Sequence, residues 1–80
     1  MKRTARLRTP ADFGLALQQA RLAHGLSQVE IAAQLDLPQS TISALENGKS
    51  TIHLRQLIAL ARATGVELNA SWEDDRASGD

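Results

Sequence analysis

Apolar positions along the chain fall into four stretches of helical period followed by one of strand period. Phe13, Leu17 and Ala20 recur at helical spacing after Thr9-Pro10-Ala11-Asp12. Thr9 suits the cap, Pro10 the first helical position, and Asp12 the first turn, where an acid meets the helix dipole. This helix is expected to run to about His24 and stop at Gly25. Ser27 opens a second helix, and Glu30 three residues on completes a capping box; Val29, Ile31, Ala32 and Leu35 are its apolar positions. A break follows at Asp36-Leu37-Pro38. A third, short helix over about Gln39 to Leu45 is expected to bury Ile42 and Leu45 and to end at Asn47-Gly48. A loop holding Lys49 and Ser50 leads to a fourth helix, capped by Thr51 or His53, with Leu54, Leu57, Leu60 and Ala61 inward and Gly65 as its stop.

After Gly65 the period changes to two. Val66, Leu68, Ala70 and Trp72 alternate with Glu67, Asn69, Ser71 and Glu73, as in a strand with one apolar face. A strand needs partners for its backbone donors and acceptors, and nothing else in the chain reads as one. The same strand of a second copy is therefore the expected partner, paired antiparallel about a two-fold axis. Val66, Leu68, Ala70 and Trp72 become the expected dimerisation positions. The organisation is then a flexible basic arm over 1–8, a helical domain over 9–65, a dimerisation strand over 66–73 and a disordered acidic tail over 74–80.

Two short helices joined by a tight turn cross steeply only where side chains at the crossing are small. Ala32 supplies that smallness, Ile42 packs from the other helix, and Leu37 plugs the turn. The helix from Gln39 then projects from the body, with a width that suits the ~12 Å major groove of B-DNA. The stretch from about Pro10 to Gly65 resembles the helix-turn-helix domain of the Cro/C1 and Xre type. The matching pieces are Arg21 with Gly25 to Gln28, Glu30 to Ala32, Gln39 to Ser43, Leu45 to Lys49, and the leucine-rich run from Leu54 to Ala61.

That resemblance implies a lambda-repressor-like, mostly α fold of four helices, here with the C-terminal strand pairing across a homodimer, and binding to palindromic double-stranded operator DNA. Gln28 matches a position that bonds a phosphate and buttresses a side chain of the recognition helix. Gln39, Ser40 and Thr41 match positions that reach into the groove, where a glutamine amide can bond adenine and a threonine methyl suits thymine. Ser43 matches a phosphate-facing position. Backbone N–H groups from Asn47 to Lys49 match a phosphate clamp, to which Lys49 adds charge. Arg21 and Glu46 match an ion pair joining the first helix to the third. Two positions depart from the pattern: Asp36 stands where glycine is usual, and Pro38 replaces a polar groove-contacting residue.

Beyond Gly65 the repressor resemblance stops, and Val66 to Trp72 is similar instead to the end of HipB-type antitoxins, a group that the basic arm, the start from Thr9 to Leu17 and the run from Leu54 to Leu68 also resemble. This second resemblance implies a HipA-type kinase toxin as partner, neutralised by complex formation, with repression of the shared operon. A stand-alone repressor, and an adaptor that does not bind DNA, are the alternatives.

Composition trims the remaining classes. The 80 residues suffice for one domain, and their formal net charge of zero hides a polarity. Residues 1–62 carry eight Lys or Arg against four Asp or Glu, and residues 63–80 carry one against five. The arm, with Lys2, Arg3, Arg6 and Arg8, reads as either a solvated tail or a DNA-contacting arm. Cysteine is absent, and His24 and His53 stand far apart in the sequence with no fellow ligand set around them, so neither metal nor cofactor is expected. Ser27, Ser40 and Ser43 have no base and no orienting third residue, so no enzyme is expected either. No apolar run approaches the ~20 residues of a membrane span, and a cytoplasmic, nucleoid-associated protein is expected.

Overall fold

The computed structural model describes residues 1–78. They form β1 (Lys2–Arg6), α1 (Pro10–Ala23), α2 (Gln28–Leu35), α3 (Gln39–Glu46), α4 (Ile52–Thr64), β2 (Asn69–Glu73) and a 3-10 turn at Asp75–Ser78. The chain is thus mostly helical, four helices with one small sheet. The starts of α1, α2 and α4 follow from a local hydrogen-bonding need. Thr9 and Ser27 accept from the N–H groups of Asp12 and Glu30, whose carboxylates accept in return from the cap N–H groups. The Ser27 N–H, followed by its hydroxyl, holds the Glu30 carboxyl below the usual carboxylate range. For α4 the cap is Thr51, whose hydroxyl accepts from Leu54 N at 3.2 Å; His53 lies within the helix. Gly25 and Gly65 stop α1 and α4 at φ of 71° and 78°, where a side chain would be strained.

Helices α1, α2 and α3 form the body. Ala32 of α2 and Ile42 of α3 are buried. At Gly14, α1 meets the end of α3 so closely that an added Cβ would fall 2.6 Å from the Glu46 carbonyl oxygen and nearer still to that of Leu45. Helix α4 lies toward the sheet end. Its buried residues are Ile58 and Ala61, which share a cleft with Leu7 and Leu68, and Arg62 Nη2 donates to the Arg8 carbonyl at 3.0 Å.

The expected partner of the C-terminal strand is corrected here. β2 pairs antiparallel with β1 of the same chain, Lys2 opposite Glu73, Arg3 opposite Trp72, Ala5 opposite Ala70 and Arg6 opposite Asn69. Residues 1–8 are therefore not a free arm, and a second copy is not needed to satisfy β2. Val66 and Leu68 precede the strand; Ala70 and Trp72 keep the predicted alternation as its half-buried positions. Charge reinforces the pairing: Arg3 approaches Asp74 at 3.6 Å and Arg6 approaches Glu67 at 3.8 Å. The expected acidic tail is corrected at its start. Asp74 is buried, accepts from Arg76 Nε and Nη2 at 3.0 and 3.1 Å, and is held below the usual carboxylate range chiefly by that arginine. Residues 79–80 of that tail lie outside the described residues.

The inward face is also narrower than periodicity suggested. The buried apolar residues are Ala16, Ala32, Ile42, Ile58 and Ala61. Leu17, Val29, Leu35, Leu45, Leu57 and Leu60, all expected inside, are 44% (Leu45) to 66% (Val29) exposed. The radius of gyration is 13.9 Å, against roughly 11.6 Å for a compact chain of this length. The chain leaves much of its apolar surface uncovered.

Two outcomes test this arrangement. Gly14→Ala should lower stability by roughly 3 kcal/mol, because two backbone carbonyls block the methyl group. Gly25→Ala, with open space but a left-handed backbone, should cost about 1 kcal/mol; equal losses in thermal melts would contradict the close approach. Deleting residues 1–6 should strip β2 of its partner and expose Trp72, the chain's single tryptophan, seen as a red shift of its fluorescence.

Candidate nucleic-acid interface

The turn before α3 sets its projection. Asp36 adopts the left-handed conformation at φ 55° and ψ 45°, in place of the usual glycine. An aspartate tolerates this region better than most residues. Leu37 N then donates to Ala32 O at 2.9 Å, and Pro38, at φ −62°, starts α3 rigidly without a side-chain cap. Gln39 and Ser40 are exposed on the first turn of α3, Thr41 and Ser43 are half-buried, and Ile42 and Glu46 face inward. The helix therefore offers Gln39 and Ser40 most openly, with Thr41 beside them.

Behind Gln39 runs a chain of hydrogen bonds through three helices. Arg21 on α1 donates from Nε and Nη2 to the two Glu46 carboxylate oxygens at 2.6 and 3.0 Å, and from Nη1 to the Leu26 carbonyl at 2.7 Å. Gln28, the first residue of α2, donates from Nε2 to Glu46 Oε1 at 2.9 Å. Gln39 donates from Nε2 to Gln28 Oε1 at 2.6 Å. Ionised Glu46 can only accept, so it takes the amino end of Gln28 and turns the Gln28 carbonyl outward. That carbonyl in turn takes one N–H of Gln39. The second N–H and the carbonyl oxygen of Gln39 remain for a ligand, and this is the donor–acceptor pair that adenine presents a partner for.

The pair at the root of this chain is well shielded, Arg21 being 11% and Glu46 5% exposed. The Arg21 guanidinium holds the Glu46 carboxyl below its ordinary value against the opposing effect of burial, and Gln28 adds to it; Glu46 in turn raises Arg21. A depressed carboxylate stabilises the fold fully above the usual carboxylate range, and that contribution is lost as pH falls through and below it.

The expected clamp of backbone N–H groups after α3 is corrected. Asn47 N donates to Ser43 O, Gly48 N to Leu45 O and Lys49 N to Ala44 O, at 3.0–3.1 Å, so all three are taken up in closing the helix. The Asn47 side chain is occupied too, donating to the Ser43 carbonyl at 2.8 Å. Lys49 is exposed, and the Ser43 hydroxyl, which accepts from Asn47 Nδ2 at 3.5 Å, keeps its own hydrogen to donate. Sequence reasoning missed Arg55, exposed on the first turn of α4, which donates to the Ser50 carbonyl and hydroxyl at 3.3 and 3.1 Å. This places a second cation beside the loop that follows α3. Its signal was an arginine one turn inside the α4 cap.

Two short helices in contact, the left-handed turn at Asp36 between them and an exposed polar helix face define a helix-turn-helix protein. Residues 17–70 match the family model described as helix-turn-helix, and the chain belongs to that family, a class of DNA-binding regulators of the Cro/C1 type. Among similar proteins is Control protein C.MunI of a Mycoplasma species, 35% identical over 63 residues that cover 78% of this chain and 85% of the relative. No solved structure matches the chain. Among the described residues no helix is long and apolar enough to cross a membrane.

The buttress predicts a measurable acid response. Glu46→Gln should lower stability at neutral pH by roughly 3 kcal/mol, because it leaves Arg21 without its carboxylate. The gap between wild type and variant should close as pH falls through and below the usual carboxylate range, as wild-type Glu46 also loses its charge. Melting curves that stay the same distance apart from neutral to acid pH would show the pair to be unimportant.

Proposed function

We propose that this chain is a dimeric, stand-alone transcriptional regulator that acts at the nucleoid, in the cytoplasm, and reads a palindromic operator with Gln39 and its neighbours. The observation that carries the reading is the orientation of the Gln39 amide by Gln28 and Glu46. A recognition side chain pre-ordered in this way loses little freedom on binding, and its spare donor and acceptor suit the major-groove edge of adenine. Ser40 and Thr41 flank it on the groove side. Gln28, Ser43, Lys49 and Arg55 supply phosphate contacts that fix register, while Asn47 holds the end of the helix in shape. Two copies about a two-fold axis set their recognition helices roughly 34 Å apart, in successive major grooves.

The designation of the Mycoplasma relative as a control protein agrees with a regulatory role. The antitoxin reading leaned on a strand shared between copies. With β2 paired to β1 it loses that shared strand and keeps the likenesses of the basic arm, of Thr9 to Leu17 and of Leu54 to Trp72, and the HipA-type kinase is not carried forward as a partner.

Gln39→Ala should cost roughly 1–3 kcal/mol at one base pair of each half-site and little elsewhere. A titration against singly mutated operators would show this as a loss of discrimination at that position. Equal weakening on every operator would assign Gln39 to the phosphate backbone instead.

A further inference from the structure

The body and α4 carry surfaces that match each other and do not meet within the chain. Leu17, Leu26, Ile31, Leu35, Leu37 and Leu45 line an almost wholly apolar groove of about 360 Å³ across α1, α2 and α3, and no residue of α4 contributes to it. Helix α4 is held at the sheet end by Ile58, Ala61 and the bond from Arg62 to the Arg8 carbonyl. Gly48, in the loop before it, sits against Ala11, with an added Cβ 3.0 Å from the Ala11 Cα. Held by that face, α4 turns Leu57 and Leu60, one helical turn apart, to solvent at 52% and 62% exposure. It cannot keep those contacts and also fill the groove of its own body.

We propose that α4 of one copy seats Leu57 and Leu60 in the α1–α3 groove of a second copy, which returns its own α4 in exchange. The occupant is a second copy because the chain itself carries both halves of the match, a groove without a filling and a leucine ridge without a cover. Reciprocal insertion about a two-fold axis closes on itself and leaves no half-interface open for further growth. It also accounts for a protomer more extended than its length requires. Leu37, Ile42 and Leu45, which back the recognition helix, form part of the groove, so the partner's α4 braces α3 from behind. The inference deepens the dimeric reading above and rests on it only for the presence of a second copy.

The test reads mass rather than DNA binding: a dimer held through another surface would leave the operator reading standing, a monomeric wild type would remove its two-fold half-sites as well, and failure of the Gln39 titration would leave the exchange standing. Light scattering on the full chain should give twice its mass of 8.6 kDa at micromolar concentration. Leu60→Lys alters only the ridge and Leu35→Glu only the groove, and each variant alone should fall to the mass of one chain. An equimolar mixture should return to the dimer mass, because one of its two seats then joins an unaltered ridge to an unaltered groove. A monomeric wild type, or a variant that stays dimeric through a strand edge or another surface, would overturn the proposal. So would a mixture that remains at the mass of one chain.

Discussion

A carboxylate has lone pairs and no proton to give, and the geometry of this protein's working face depends on that fact at Glu46. Buried at the end of α3, Glu46 receives α1 through Arg21 and α2 through Gln28. One side chain thereby ties together the three helices of the body. It also gives the network a direction. Amides can be reversed with little change of shape, so a chain of glutamines alone would leave Gln39 free to present either end. Because the first acceptor cannot donate, each later amide has one orientation, and the polarity reaches the surface intact. Arg21 keeps the acceptor ionised, which makes a structural ion pair part of the recognition apparatus.

The same small body leaves apolar surface in the open. Burying a leucine stabilises by about 1.5–3 kcal/mol, while a whole domain is stable by only about 5–15 kcal/mol. A handful of half-covered leucines is therefore a large share of what such a chain has available. Phe13 and Trp72 are its only aromatics, and the buried apolar set is small residues and isoleucines. Proteins of this size gain much from assembly, and here the uncovered leucines lie on the helices that would have to meet.

Much of the architecture was legible in short stretches of sequence because its causes are local. Capping boxes at Thr9 and Ser27, the left-handed Asp36 and the glycine stops depend on residues within a turn of one another, and helix limits followed closely. The Arg21–Glu46 pair and the contact from Gln28 to Gln39 were legible through the family pattern. What escaped depends on distant or directional facts. β1 is Lys-Arg-Thr-Ala-Arg, with only Ala5 half-buried; it lacks apolar alternation and is a strand because β2 and its acids lie alongside. In α4, Leu57, Ile58, Leu60 and Ala61 all fit a broad inward stripe, and only the placement of the sheet selects Ile58 and Ala61. The N–H groups of Asn47 to Lys49 were read as free, but the closing turn of α3 had claimed them.

The pairing of β1 with β2 bears on how the chain matures as it leaves the ribosome. Arg6 is made early and must wait for Asn69 before its strand has a neighbour. The helices between them need only nearby residues and can form while synthesis continues. Closing so long a loop adds little entropy beyond closing a shorter one, since the cost grows only with the logarithm of its length. The sheet is thus the last element to assemble, and a chain stalled before β2 would carry its helices but leave its first strand exposed to proteases.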